Sequence, residues 1–163
     1  MKITAHFHRD ELTTTQSGIE NVPTLAAWIN LTRLCCVLLE PLRELVIDGH
    51  GKIGALRINS AYRGAAVNAA IGGATKSAHM DGRAADIVPI ARGITALDLM
   101  TAISNSDLPY DKCILEHRGR GLWLPTQIRH VDRKPRRVNF QSLESGRFEK
   151  FNPEDPRLER WRK

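Results

Sequence analysis

Hydrophobic and polar residues alternate along this chain in two different rhythms, and the change between them marks out the elements. Asp10 to Gln16 reads as a short helix. Pro23 sits where a helix favours its first residue, and it opens a long apolar-periodic segment to about Ile47 that Pro41 should kink or split. Asp48-Gly49-His50-Gly51 reads as a turn, and Ile53 to Asn59 alternates as a strand does. Ala65 to Ala70 is helical and is ended by Gly72-Gly73. Ala84 to Ile90 is a second strand and Gly93 to Ser104 a helix. Lys112 to Glu116 and Ile128 to Asp132 read as antiparallel strands joined by a loop from Arg118 to Gln127. The pattern predicts one α+β domain over residues 1–163, without internal repeats or low-complexity linkers.

Composition narrows this picture. At 163 residues, with 42% hydrophobic and 6% aromatic residues, the chain can bury one core and is short for two. The apolar run from Leu31 to Ile47 is interrupted by Arg33, Glu40, Pro41, Arg43 and Glu44, so membrane insertion is not expected. Met1 to Gln16 is polar and carries no secretory pattern. Cys35, Cys36 and Cys113 are odd in number and read as small buried hydrophobes in a reducing compartment.

Charge is placed unevenly. The formal net charge is +6, and Arg133 to Lys163 holds ten Lys/Arg against five Asp/Glu, which leaves the first 132 residues at +1. Such an extension reads first as solvated surface, and it can steer a protein toward a polyanion such as a cell wall. Nucleic acid is not the expected partner, because the basic residues alternate with Glu144, Glu149, Glu154, Asp155 and Glu159 and form no binding motif.

The candidate chemistry lies in Ser77-Ala78-His79-Met80-Asp81-Gly82-Arg83-Ala84-Ala85-Asp86. His79 falls in the loop before the strand that carries Asp86, so the two can converge on one ion. A neutral His, an ionised Asp and one further His would leave a fourth tetrahedral position open for water, as catalytic zinc requires. Spacing alone equally allows an ordinary surface pair.

The flanking residues make the match more specific. Arg57-Ile58-Asn59-Ser60-Ala61-Tyr62-Arg63 and Val67-Asn68-Ala69-Ala70-Ile71-Gly72-Gly73-Ala74 run into a segment that resembles the M15 peptidase signature S-x-H-x-x-G-x-A-x-D, here Ser77, His79, Gly82, Ala84 and Asp86. His6, Phe7, Glu11 and Leu12, the segment Tyr110 to Glu116, and His130-Val131 follow the same family order over residues 6 to 133. Residues 134–163 form the basic extension beyond that core.

The resemblance implies a hedgehog/DD-peptidase-like fold, with a central antiparallel sheet flanked by helices. It also implies zinc held by His79, Asp86 and a last His from a Trp-Val-His-Val setting. His130 is the expected third ligand, although Trp123 precedes it by seven positions instead of two and Arg129 and Asp132 depart from the pattern; His117 is the lower-ranked alternative. Some relatives carry an acid three residues before the last His, where this chain has Gln127. The expected general base is therefore Glu116, at the end of Tyr-Asp-x-x-Ile-Leu-Glu, with Asp132 as reserve base or as the partner that orients the imidazole. Arg63 is expected to bind a substrate carboxylate or polarise the scissile carbonyl, Ser77 to hydrogen-bond substrate or a ligand, and Gln16 to be a polar substrate contact or plain surface. Gly82 and Ala84 should serve backbone geometry.

On this resemblance the chain is expected to be a zinc peptidase that cleaves an amide bond in the peptide stem of bacterial peptidoglycan, as carboxypeptidase or endopeptidase. The expected setting is a monomeric phage or prophage lysis enzyme, kept in the host cytoplasm until a holin releases it to the wall, or a virion component. The alternatives are a non-catalytic zinc module of the same fold and, less favoured, a basic nucleic-acid-associated protein.

Overall fold

A computed structural model describes residues 1–46, 54–118, 121–142 and 147–162. The predicted turn at Asp48 to Gly51 and the start of the first strand lie outside them. Elements run α1 (Arg9–Thr13), α2 (Leu25–Leu34), a π-helical turn (Cys35–Leu39), α3 (Glu40–Leu45), β1 (Leu56–Ser60), α4 (Ala65–Ala70), β2 (Ala84–Pro89), α5 (Ala96–Asn105), β3 (Tyr110–Arg118), β4 (Gly121–Ile128), β5 (Val138–Ser142), β6 (Phe148–Lys150) and a 3-10 turn (Pro156–Trp161).

The apolar segment after Pro23 is capped by Thr24, whose side chain accepts from the Ala27 N–H at 3.2 Å. Pro41 cannot donate to the helix ladder, and the chain meets it with a widened π turn from Cys35 to Leu39, so the helix continues instead of breaking. By length and composition this Leu25–Leu45 run is apolar enough to cross a membrane. Its leucines 31, 34, 38, 39 and 42 are instead fully buried in the core, against Phe7, Leu12, Ile87, Leu99 and Met100. Cys35 and Cys113 are buried, with burial pushing both thiols up to about 12, whereas Cys36 is exposed.

The six strands lie in the order β1-β2-β4-β3-β5-β6. The fold is α+β and hedgehog/DD-peptidase-like, as the resemblance implies, but the sheet is mixed: β3 and β5 pair in parallel, while the other pairs are antiparallel. The basic extension is thus part of the sheet, and it covers the edge that β3 would otherwise expose.

One element differs in place. The second strand of the β3–β4 hairpin spans Gly121–Ile128, where the sequence pattern predicts a loop, and residues 129–132 are not a strand. Pro125 and the flanking glycines carry turn chemistry, and proline is ordinarily confined to edge strands. Here it sits in β4, between β2 and β3.

Candidate active site

His79 is held from behind. Its Nδ1 lies 2.6 Å from the Ala61 carbonyl oxygen, so Nδ1–H donates there and Nε2 is left free to act as a ligand. The His79 carbonyl accepts from the Arg63 and Gly82 N–H groups at 3.2 Å each, and the His79 N–H donates to Ser77 Oγ at 3.4 Å. Only 7% of His79 is exposed. Gly82 has φ +71°, and a Cβ there would come 2.5 Å from the Ala27 carbonyl oxygen of α2, so the turn between His79 and Asp86 needs a glycine.

Asp86, on β2, faces the imidazole. His79 Nε2 and Asp86 Oδ1 are 3.5 Å apart, and an Arg63 terminal nitrogen is 3.8 Å from Asp86 Oδ2. Arg63 Nε is buried without a hydrogen-bond partner. Asn21, a residue the sequence pattern did not single out, fixes the segment around Arg63: its Nδ2 donates to Thr13 O at 2.8 Å and Tyr62 O at 2.9 Å, and its Oδ1 accepts from the Gly64 N–H at 2.8 Å. An Asn flanked by turn residues has no periodic signal, which is why it escapes sequence reading.

Glu116 shares this face of the sheet. It pairs across the hairpin with Trp123, two positions from Pro125, and Pro125 lies directly opposite Asp86. Burial raises the Glu116 pKa, and the Asp86 carboxylate raises it further; Arg63 and Lys112 pull the other way. Beside the pair is a cavity of about 190 Å³ lined by Lys76, Ser77, His79, Lys112, Pro125 and Gln127, among others. The arrangement offers a fixed imidazole, two carboxylates and, in Arg63, Lys76 and Lys112, three cations.

The structure does not bring His130 to this cluster. Its side chain is 60% exposed just past β4, with Nδ1 2.6 Å from Asp132 Oδ1, in a separate cleft with Arg83, Asp111, Arg129 and Arg136. The sequence-expected pairing of Asp132 with His130 is present, but it lies outside the site. The displacement follows from the position of β4, which begins seven residues and ends four residues before the predicted strand and so leaves residue 130 beyond its end. His117 turns to the other side, its ring 5.8 Å from that of Trp161. Gln127 is committed to structure, donating to Asp111 Oδ2 at 3.0 Å, and Gln16 is exposed after α1.

Catalytic zinc takes three protein ligands. The facing pair supplies two, and the described residues contain no group of three or more His, Cys, Asp or Glu able to hold a metal. They therefore do not form the three-ligand set that the resemblance implies.

No curated protein matches the chain significantly. A family profile described as Peptidase M15 matches residues 5–117, which takes in α1, Arg63, Ser77, His79, Asp86 and Glu116 and stops before β4. With more than two thirds of its length matched, and with His79, Asp86 and Arg63 brought together as described, this chain belongs to the M15 peptidase family.

Proposed function

We propose that this chain acts on the peptide stem of bacterial peptidoglycan and that its reaction is hydrolysis of an amide bond there. The observation that carries the reading is the meeting of Arg63, Asp86, His79 and Glu116 at one face, beside a cavity walled by Lys76 and Lys112. Stem peptides present carboxylates, and Arg63 and the two lysines complement them. Glu116, pushed toward neutrality by burial and by Asp86, suits the role of accepting a proton from water and returning it to the leaving amine. Arg63 is placed to offset negative charge developing on the scissile carbonyl oxygen. By resemblance, the setting is a phage or prophage lysis enzyme, freed from the host cytoplasm by a holin or carried in a virion.

A second reading, binding of the stem without cleavage, is favoured by the two-donor metal set. Mass spectrometry of muropeptides incubated with the zinc-supplemented full chain decides between them, together with calorimetric binding of a stem peptide to the parent and to Arg63→Ala. Shortened peptides support hydrolysis. Arg63-dependent binding without products supports the second reading, and neither binding nor products removes both.

A further inference from the structure

We infer that Pro125 occupies the position of a third metal ligand, so that the His79–Asp86 pair is left one donor short of the set that holds a divalent cation tightly. Pro125 is the direct cross-strand partner of Asp86, and such partners carry Cβ atoms roughly 5 Å apart, a span that two ligands of one ion can bridge. It lines the same cavity as His79. The imidazole is already prepared, with Nδ1 engaged by the Ala61 carbonyl and Nε2 toward Asp86. Trp123-Leu124-Pro125 also stands in the spacing of the family's Trp-Val-His element, with Trp123 opposite Glu116.

The proline is an anomaly in its own right. A strand flanked on both sides has use for every backbone N–H, and proline removes one. Breaches of a local rule of this kind concentrate at functional sites. Its ring supplies neither a donor nor a lone pair to the cavity, so a change at this position alters the metal site without touching the Arg63 and Glu116 parts.

The inference rests on the same site as the proposed function, but not on the stem peptide being its ligand. The test is zinc binding by the full chain, without substrate, in competition with a chromophoric chelator. The parent should surrender its zinc, whereas Pro125→His should take one zinc per chain more than ~10²-fold more tightly, beyond the roughly 10–100-fold that an outer-shell partner contributes. His79→Ala added to Pro125→His should erase the gain. Pro125→Ala also restores the N–H, and it should bind zinc no better than the parent, which separates ligation from relief of the backbone.

A parent that holds one zinc as tightly as Pro125→His overturns the inference, as does a folded Pro125→His with no gain. If Pro125→His does not fold, Pro125→Ala is titrated with cobalt and free imidazole: an imidazole-dependent tetrahedral cobalt band supports the vacated position, and its absence refutes it. Stem-peptide binding by the parent and by Arg63→Ala is measured separately, so failure of the functional reading is told apart from failure of this one.

Discussion

Glu116 and Gly82 show how single residues set the terms of the site. Burial and the neighbouring Asp86 charge raise the Glu116 pKa in the folded state, so the fold binds that proton more readily than the unfolded chain does. The ionised carboxylate therefore costs stability above its folded pKa, and the cost disappears as pH falls below the unfolded value. Glu116→Gln should accordingly melt above the parent at neutral pH and converge with it in acid, as melting curves across pH would show. If Glu116 takes the proton during hydrolysis, the same variant should lose roughly 10²-fold or more in turnover of muropeptides while keeping its fold. Gly82→Ala has the opposite character: it must adopt φ +71° and meet the Ala27 carbonyl at 2.5 Å. A loss of about 2–4 kcal/mol is expected from left-handed strain plus overpacking, read from denaturant midpoints.

At the scale of elements, local signals succeeded where one rhythm governed and failed where a special residue interrupted it. Ala65–Ala70 keeps the predicted bounds because small helix formers end at Gly72, whose φ of 70° no other residue adopts cheaply. The long helix passes Pro41 because a π turn absorbs the missing donor. The β3–β4 hairpin is the instructive failure, since Pro125 reads as loop and tertiary pairing on both sides overrides it. The meeting of His79 with Asp86 was legible because one contiguous signature carries both, and Arg63 joins them from the upstream Ser60-Ala61-Tyr62-Arg63 element. The separation of His130 from that pair was not legible, because it depends on where β4 ends.

Asp111, at the start of β3, ties that hairpin to the segment leading into β5. It accepts from Arg136 N–H, Nε and a terminal nitrogen at 3.1, 3.1 and 2.7 Å, and from Gln127 at 3.0 Å. Burial pushes its pKa up, but these bonds outweigh that and hold it at about 2. Its contribution, on the order of 2 kcal/mol, should be complete above about pH 4 and be lost as pH falls toward 2. Urea midpoints of the parent and Asp111→Asn should differ near neutrality and draw together at the acid end.

For the molecule as a whole, the basic C-terminal residues are structural. β5 pairs with β3 along Lys112 to Leu115, and β6 extends from β5. Phe151 and Leu158 enter the core, and Trp161 packs against it and against the His117 ring. Several of the cations that looked available for a polyanion are held by acids: Arg136 by Asp111, Arg137 by Asp107, Arg157 by Asp155 and Glu149, and Arg162 by Glu159. Ion pairs of this exposure contribute little to stability one by one. A chain ending at Arg133 would bare the β3 edge and lose apolar packing from one side of the sheet. It should therefore lose cooperative melting and aggregate, as circular dichroism and light scattering would register. A truncated chain that melted like the parent would instead make residues 134–163 a detachable arm.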